Sequence, residues 1–525
     1  MNPTQSVGPN LKPRGVSSIV EHAAHLSIRF IHVLQSDGLG PAVARARRKL
    51  RALTRRVQSK IPWARIGRAE NVDPYEAWQA RNRPNVRRAE RLEEALAGLS
   101  RPTRFSVVTP VYNAPEAVLD AAVASVVGQT YDCWELILVD DASAHEHVRP
   151  SLRRWASTDD RIRLIERPEN GGISTATNTG AAIASGEFVV LLDHDDVLHR
   201  DCLAFLALEI AKHTDADLIY SDHDKIDEHG RRFAPEFKPD WSPELLLSYC
   251  YAGHVKAIRT ELYRELGGLR VGFEGSQDHD LLLRAGERAR RVVHVPQLLY
   301  HWRVLPGSTA AGGREKPASL EAGRRAVQEA FSRRGVDCKV VIPTWADREG
   351  SAIFRPVMVD AGPRVAILVL GEDSTSTLSM LSWLAASAHA NFHVYIVGAD
   401  RRKVKADKDW WPFGLTIIEG AAGPRAALWN RLIEQVHEEF VLFLDGRATT
   451  VCPDLMSQMV GWLGLEGVGA VGPRVVDGNG GVDHVGLSID FEQGEARKAF
   501  DGLPSWDQGY LNLARVSRNV SALSA

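Results

Sequence analysis

The chain has 525 residues, and 64 Lys and Arg against 66 Asp and Glu give it a formal net charge of −2. Hydrophobic residues make up 44% and charged residues 25% of the sequence, which excludes wholesale disorder, collagen and coiled-coil rods. We expect neither a membrane-spanning helix nor secretion, because the sequence has no run of about 18 apolar residues and no signal-peptide pattern. Five scattered cysteines without C-x-x-C fit a reducing cytoplasm.

The small net charge hides a basic segment at residues 41–60, which carries eight Lys or Arg and no acidic residue. Its apolar residues have 3-4-3-4 spacing and fall on one helical face: Val43, Ala46, Leu50, Leu53 and Val57. A basic amphipathic helix can lie on an anionic membrane surface, and it can also be a solvated helix that packs on its own protein. The acidic remainder of the chain disfavours nucleic acid as the partner.

Residues 1–100 are predicted to be a helical, basic N-terminal arm, in which residues 75–100 form one Arg- and Glu-rich helix ending near Gly98. Pro102 then breaks this pattern. From Phe105 onward, continuous apolar strands alternate with helices, which predicts a parallel sheet covered on both faces and an α/β fold. Ligands of such sheets bind at the carboxyl ends of the strands.

Polar residues directly follow three of the four predicted strands. The strand ends are Pro110-Val111-Tyr112-Asn113, Asp140-Asp141-Ala142-Ser143 and Asp193-His194-Asp195-Asp196. A single acidic strand end can be a turn or a helix cap. Three polar ends at one edge of the same sheet indicate a binding site.

An Asp-x-Asp pattern brings carboxylates together, and a divalent cation such as Mg²⁺ or Mn²⁺ relieves their repulsion. Such an ion completes its shell with phosphate oxygens and water, so the implied ligand is a diphosphate. No P-loop pattern is present. A nucleotide-diphosphate sugar fits, with Asp140 and Asp141 accepting hydrogen bonds from its base or ribose and Tyr112 as a stacking surface.

The motifs VVTPVYN, LILVDDAS, NGGISTATNTG and VVLLDHDD together resemble those of family 2 glycosyltransferases, which have the GT-A fold. The resemblance continues through VPQLLYHWR and covers residues 75–310. Within the family, the chain is most similar to bacterial enzymes that build O-antigen or capsule and are rhamnosyltransferase-like. The resemblance implies a catalytic GT-A domain at residues 101–345.

The resemblance also implies roles for the matching positions. The positions implied to contact the nucleotide sugar are Pro110, Tyr112, Asp140, Asp141, Asn178, Asp193 and Arg303. The implied ligands of a Mn²⁺ or Mg²⁺ ion are Asp193, Asp195 and His301. Two positions depart from the family pattern, since Thr177 stands where members often carry Arg and Gln277 where they generally carry Glu.

Asp278 matches the family's catalytic base. A base is needed because a sugar hydroxyl is a poor nucleophile, and a nearby carboxylate can take its proton as attack develops. The implied reaction is one in-line displacement with inversion at the anomeric carbon. It differs from glycoside hydrolysis, since metal and diphosphate replace the acid that protonates the leaving group.

The alternation of apolar strands and helices at residues 105–193 is repeated at 365–445, which predicts an internal duplication. In the second copy Asp445 matches Asp193, whereas Arg447 replaces Asp195, so we expect residues 346–525 to be a degenerate GT-A-like domain. A base at the equivalent distance after Asp445 would fall beyond residue 525, so we also expect this domain to be incomplete. The G-x-G-x-x-G pattern at 467–472 is interpreted as a turn and strand rather than a dinucleotide site.

The sequence therefore predicts an inverting glycosyltransferase of cell-surface polysaccharide biosynthesis. The expected acceptor is a saccharide or a lipid-linked saccharide. The expected location is the cytoplasm, with a peripheral contact to the inner face of the membrane through residues 41–60. A processive synthase is less favoured because membrane helices and a Gln-x-x-Arg-Trp signature are missing. The alternative of a different class is a non-catalytic sugar- or nucleotide-binding scaffold in a polysaccharide assembly complex.

Overall fold

The structure is a computed structural model. It describes residues 73–82, 86–305, 317–359, 362–371, 374–399, 402, 404, 411–418, 423–446, 448, 452–490 and 495–520. The predicted basic helix at 41–60 lies outside the described residues. The chain divides into two compact units, residues 1–83 and 84–525. None of the helices in the described ranges has the length and apolar character needed to cross a membrane.

Helix α1 (Pro74–Arg81) belongs to the first unit. It begins after Asp73, whose carboxylate caps the helix by accepting a hydrogen bond from the Tyr75 N–H at 2.9 Å. The next helix, α2 (Val86–Ala97), belongs to the second unit and ends just before Gly98. The prediction of one helix over 75–100 is therefore wrong, because α1 ends at Arg81. The chemical reason lies in Pro84, since a proline disfavours helical geometry in the residue before it.

Strands and helices alternate over residues 105–191, as the sequence predicts. They are β1 (Phe105–Val111), α3 (Glu116–Val127), β2 (Trp134–Asp140), α4 (Val148–Ala156), β3 (Ile162–Glu166), α5 (Gly172–Ala182) and β4 (Phe188–Leu191). Every residue of β1, β2 and β4 is buried. Helices cover both faces of these strands, which is why their sequences are continuous apolar runs.

The next elements complete a nine-stranded sheet. They are β5 (Val197–Leu198), α6 (Cys202–Lys212), β6 (Leu218–Ile226), β7 (Arg232–Glu236), α7 (Pro243–Leu246), β8 (Lys256–Arg259), α8 (Thr260–Glu265), α9 (Gln277–Arg288) and β9 (Val292–Arg303). The strand order is β3-β2-β1-β4-β8-β6-β9-β5, with β7 beside β6. The predicted parallel pairing is confirmed for β1 to β4, but the whole sheet is mixed because β8 runs antiparallel to β4 and β6.

A second sheet follows a short connecting region. The elements are α10 (Pro317–Arg333), β10 (Cys338–Val341), α11 (Thr344–Glu349), β11 (Arg355–Met358), β12 (Val365–Leu370), α12 (Ser374–Ala385), β13 (Phe392–Val397), β14 (Gly414–Ile418), α13 (Arg425–Ile433) and β15 (Phe440–Asp445). The parallel order β14-β13-β12-β15 repeats the order β3-β2-β1-β4. The same strand order in both sheets is what an internal duplication predicts. The degenerate second domain stays a prediction, and its expected boundary after residue 345 falls inside α11, between the paired strands β10 and β11.

The last described segment packs against the large sheet's own core. It contains α14 (Leu455–Leu463), β16 (Val475–Val476), β17 (Val482–His484), β18 (Leu487–Asp490) and β19 (Glu495–Lys498). Leu465 joins the buried cluster that includes Phe331 and Phe354, and the Trp462 ring meets Phe331 edge-on at a centroid distance of 6.0 Å. The G-x-G-x-x-G segment follows a helix and leads into β16, so its interpretation as a turn and strand agrees with the structure.

Candidate active site

A small cavity lies where β1, β4 and β8 meet the N-terminus of α9. Its lining includes Pro110, Asp193, Lys256, Asp278 and Tyr300. Its volume is about 10 Å³, which is close to the space that one water molecule needs. The sequence analysis predicted that Pro110, Asp193 and Asp278 would share a site, and the structure places all three in this wall.

Lys256 is a charged residue of this cavity that the sequence analysis missed. It opens β8, where it pairs with Leu191 of β4, and its Nζ lies 2.9 Å from Asp278 Oδ2. Burial alone would lower the pKa of Lys256, but the charges of Asp278 and Asp193 outweigh it and the net shift is upward. The sequence does contain a signal for this ion pair, since Lys256 stands between the apolar residues Val255 and Ala257. A lysine buried in such a strand seldom lacks a charged partner.

The loop after β4 concentrates negative charge beside this cavity. Asp193 and Asp195 are half-buried, whereas Asp196 is buried and accepts hydrogen bonds from Tyr300 Oη at 2.5 Å and from the Arg303 N–H at 2.7 Å. Burial raises the pKa of Asp196 well above its usual range, and the charges of Asp195 and Asp193 add to the shift. The loop therefore has the excess of carboxylate charge that a divalent cation would compensate.

Arg303 and His301, both in β9, lie beside this loop. Arg303 donates from Nε to the carbonyl oxygen of Asp195 at 2.8 Å, so its guanidinium braces the loop backbone. His301 Nδ1 is 2.5 Å from Asp224 Oδ1, the arrangement by which a carboxylate orients a histidine ligand. Across the described ranges, no group of three or more His, Cys, Asp and Glu side chains is arranged to hold a metal ion. The metal set of Asp193, Asp195 and His301 therefore stays a prediction.

The residues predicted to contact the nucleoside lie at the ends of β1 and β2. Tyr112 is 46% exposed and therefore accessible for stacking. Asp140 and Asp141 are buried and already hydrogen-bonded within the protein. Their donors are Ser143 N at 3.0 Å and Arg149 Nε at 2.8 Å for Asp140, and Gly171 N at 3.0 Å, Gly172 N at 2.8 Å and Arg167 for Asp141. Both carboxylates thus hold the loops that follow β2 and β3.

Asn178 of α5 is engaged by the protein rather than directed at open space. Its Oδ1 accepts from Tyr263 Oη at 2.8 Å and from the Leu269 N–H at 2.9 Å, and its Nδ2 donates to the Leu269 carbonyl at 2.7 Å. The neighbouring Gly268 has φ of +70°, and a Cβ there would collide with Asn178 Oδ1. Asn178 therefore fixes the glycine turn that precedes the loop leading to Asp278.

Comparison with known proteins identifies a family for part of the chain. Residues 106–267 match the model described as Glycosyl transferase family 2. Uncharacterized protein y4gI of Sinorhizobium fredii is 36% identical over 452 residues, which are 83% of this chain and 49% of that protein. O-antigen biosynthesis protein RfbC of Myxococcus xanthus is 34% identical over 446 residues, which are 82% and 33% of the two chains. The chain thus spans a third to a half of these relatives.

Among solved structures, mannosyltransferase PcManGT from Pyrobaculum calidifontis in complex with GDP-Man and Mn²⁺ is 21% identical. The match covers 46% of this chain and 73% of that one, with a TM-score of 0.36. This similarity is too low to support an argument. The family match and the mixed sheet together identify the class: the chain contains a family 2 glycosyltransferase domain with the expected α/β, GT-A fold. The resemblance inferred from the motifs is thereby confirmed, whereas rhamnosyl specificity stays a prediction.

Proposed function

We propose that this chain is an inverting glycosyltransferase that moves a sugar from a nucleotide-diphosphate donor to a saccharide or a lipid-linked saccharide. The family match of residues 106–267 supports the reaction class. The name of the Myxococcus xanthus relative, an O-antigen biosynthesis protein, favours cell-surface polysaccharide as the product. We place the reaction in the cytoplasm, where the sequence analysis expects it.

The observation that carries this proposal is the meeting of Asp193 and Asp278 in one cavity wall. Asp193 lies two residues after β4, where donor diphosphate would approach, and Asp278 is the second residue of α9. The two residues are 85 positions apart, and the antiparallel strand β8 lies between the elements that carry them. A carboxylate that can bind a metal and diphosphate at the donor end, and a carboxylate that can accept a proton at the acceptor end, are what the proposed displacement needs.

In the proposed reaction, Asp278 accepts the proton of the acceptor hydroxyl as the hydroxyl oxygen attacks the anomeric carbon. The bond from that carbon to the diphosphate oxygen breaks on the opposite side, which inverts the configuration. Lys256 holds Asp278 through the 2.9 Å ion pair, so the carboxylate keeps one orientation. Tyr300 and Arg303 keep the acidic loop in place through Asp196.

A divalent cation fits the residues of the acidic loop. Asp193 and Asp195 supply hard oxygen ligands, and the Asp224–His301 pair has the orientation that favours a histidine ligand. When bound, Mn²⁺ or Mg²⁺ would stabilise the charge of the diphosphate leaving group. Arg303, buried beside the loop, would add positive charge near the same group.

The experiment is a thermal-shift screen of a nucleotide-sugar panel with and without Mn²⁺, followed by a donor-hydrolysis assay. A bound donor stabilises the folded chain by mass action. We expect a Mn²⁺-dependent shift for one donor, loss of that shift in Asp195→Asn, and slow hydrolysis of the same donor. Donor binding without hydrolysis or transfer would instead indicate the non-catalytic scaffold.

A further inference from the structure

A second cavity, of about 1170 Å³, lies between residues 343–355 and the segment 462–520. It shares no lining residue with the candidate active site. Its charged lining residues are five arginines and one glutamate: Arg348, Arg355, Arg474, Arg515, Arg518 and Glu244. We call this cavity the arginine cleft. The excess of positive charge predicts an anionic ligand.

Three of these arginines form no close ion pair, although the charge of Glu349 acts on Arg515. No ion pair joins Arg474, Arg515 or Arg518 to a carboxylate anywhere in the described part of the chain. Their contacts are backbone carbonyls and two aromatic rings. Arg474 donates to Ser505 O at 2.6 Å, and the Arg515 and Arg518 guanidinium groups lie 4.3 Å and 5.5 Å from the centres of the Trp345 and Phe500 rings. Burial lowers the pKa of all three guanidinium groups. Three desolvated cations that line one cleft are costly unless an anion compensates them.

Arg474 also carries an unused donor. Its Nε is buried and finds no hydrogen-bond partner among the described residues. Buried N–H groups are nearly always paired in folded proteins, so this unpaired donor is unusual. The charge of Arg515 lowers the pKa of Arg474 further.

The glycine-rich segment 467–472 forms another wall of the arginine cleft. Gly467 has φ of +85°, and Gly469 and Ala470 are exposed. The backbone N–H groups of residues 469–472 donate to no acceptor that the structure describes. Free main-chain N–H groups on a glycine-rich loop are favourable partners for phosphate oxygens. This motif therefore contributes to a binding site although it does not bind a dinucleotide.

We propose that the arginine cleft binds a phosphate or diphosphate group carried on a larger ligand. A phosphate offers several acceptor oxygens to guanidinium and backbone donors at once, which a single carboxylate does not. The volume of the cleft leaves room for saccharide units beyond the anion. Binding of the anion is independent of the transfer reaction, whereas the identification of the larger part as a lipid-linked saccharide acceptor rests on the proposed function.

The cleft adjoins the helix that carries Asp278. Phe354 lines the cleft and packs on the ring of His279, at a centroid distance of 5.7 Å. His279 follows Asp278 in α9 and donates from Nε2 to the carbonyl of Leu246 at 2.7 Å. A ligand held in the cleft would therefore lie one layer of side chains away from the catalytic helix.

The test uses the full chain with Asp195→Asn, in EDTA, so that inorganic diphosphate has no metal site at the donor pocket. Isothermal titration with inorganic diphosphate is expected to show binding. The double substitution of Arg474→Gln with Arg515→Gln is expected to weaken it at least tenfold, whereas Arg288→Gln, on an exposed arginine paired with Glu265 outside the cleft, is expected to leave it unchanged. Absence of diphosphate binding to the Asp195→Asn chain overturns the proposal.

A second pair of variants tests the proposal if loss of the arginines impairs folding. Ala470→Glu adds a negative charge at the exposed lip of the cleft without removing a contact, and Ala470→Gln adds the same bulk without the charge. We expect Ala470→Glu alone to weaken diphosphate binding several-fold. Equal affinities of these two variants would contradict the proposal.

Two further ligands identify the source of the phosphate. A soluble saccharide diphosphate that binds at least tenfold more tightly than inorganic diphosphate assigns the cleft to a saccharide-linked ligand, and equal affinities assign it to free diphosphate. An oligosaccharide that bears carboxylates but no phosphate and binds more tightly than both overturns the phosphate assignment.

Discussion

The two parallel sheets of this chain have the same strand order and different surroundings. In the first sheet, Phe188 of β4 pairs with Phe105, and in the second, Phe440 of β15 pairs with Val365. Asp193 and Asp445 each lie five residues after those phenylalanines. β4 is fully buried and pairs on its other side with β8, whereas β15 is the last strand of its sheet within the described residues. Val441 and Phe443 of β15 are 37% and 39% exposed.

This comparison shows that four strands in the right order do not make the candidate site. Lys256, Asp278 and Tyr300 come from β8, α9 and β9, which extend the first sheet beyond β4. Asp445 ends the equivalent strand, but its partner is Arg425 at 3.5 Å, and the sequence that follows it has Arg447 in place of Asp195. Catalysis is therefore expected from the first sheet alone.

The largest expected effect is on the transfer rate, which should depend on the acidic residues after β4 and not on Asp445 at the end of β15. Asp195→Asn should lower the transfer rate by about a thousandfold or more, because the leaving group loses its charge compensation. Asp445→Asn, in the second sheet, should leave the rate within about twofold of the wild type. Transfer assays with purified chains measure both. Loss of transfer in Asp445→Asn with activity retained in Asp195→Asn would contradict the assignment of catalysis to the first sheet.

Within the described residues, no strand beside β15 supplies a counterpart of Lys256. Removal of Lys256 should also affect the reaction. Lys256→Met leaves Asp278 without its ion pair, and we expect kcat to fall about a hundredfold with a much smaller change in the donor KM. Lys256→Arg should restore part of kcat because it keeps the charge. Lys212→Met, on an exposed lysine, is the matched control. A change confined to thermal stability would show that Lys256 is only structural.

Sequence patterns predicted the parts of this molecule that depend on local order. Strands β1 to β4, and the placing of Asp193 and Asp278 in one cavity, follow from apolar runs and family motifs. The ion pair of Lys256 was not predicted, because it depends on β8 lying antiparallel beside β4. Asn178 was assigned to the donor, yet its hydrogen bonds go to Tyr263 and Leu269, which are distant in sequence.

The two sheets should also differ in their sensitivity to loss of an equivalent aromatic ring. Phe188→Ala removes a fully buried side chain that lies under the Arg259 guanidinium, and it should cost about 3–5 kcal/mol in the free energy of unfolding. Phe440→Ala removes a partly exposed ring and should cost about 1–2 kcal/mol. Denaturant unfolding monitored by circular dichroism measures both. Equal losses would indicate that the two sheets are equally well packed.

The smallest expected effect is a pH dependence of the free energy of unfolding, which we attribute to His279 of α9. Burial lowers the pKa of His279 to about 4, compared with about 6.5 in the unfolded chain. Between these values the unfolded chain binds a proton that the folded chain does not, so the free energy of unfolding should fall by roughly 2 kcal/mol as pH drops from 6.5 to 4. His279→Gln should reduce this slope, while His437→Gln, at an exposed position, should not. An unchanged slope in His279→Gln would contradict the assignment.

The central claim is that Asp278 is the base of a transferase built on the first sheet. The most direct test measures donor binding and sugar transfer by Asp278→Asn in the same preparation, with Asp445→Asn as the control. The account predicts donor binding within about twofold of the wild type and a transfer rate lowered by at least about a hundredfold. Near-normal turnover by Asp278→Asn would contradict it.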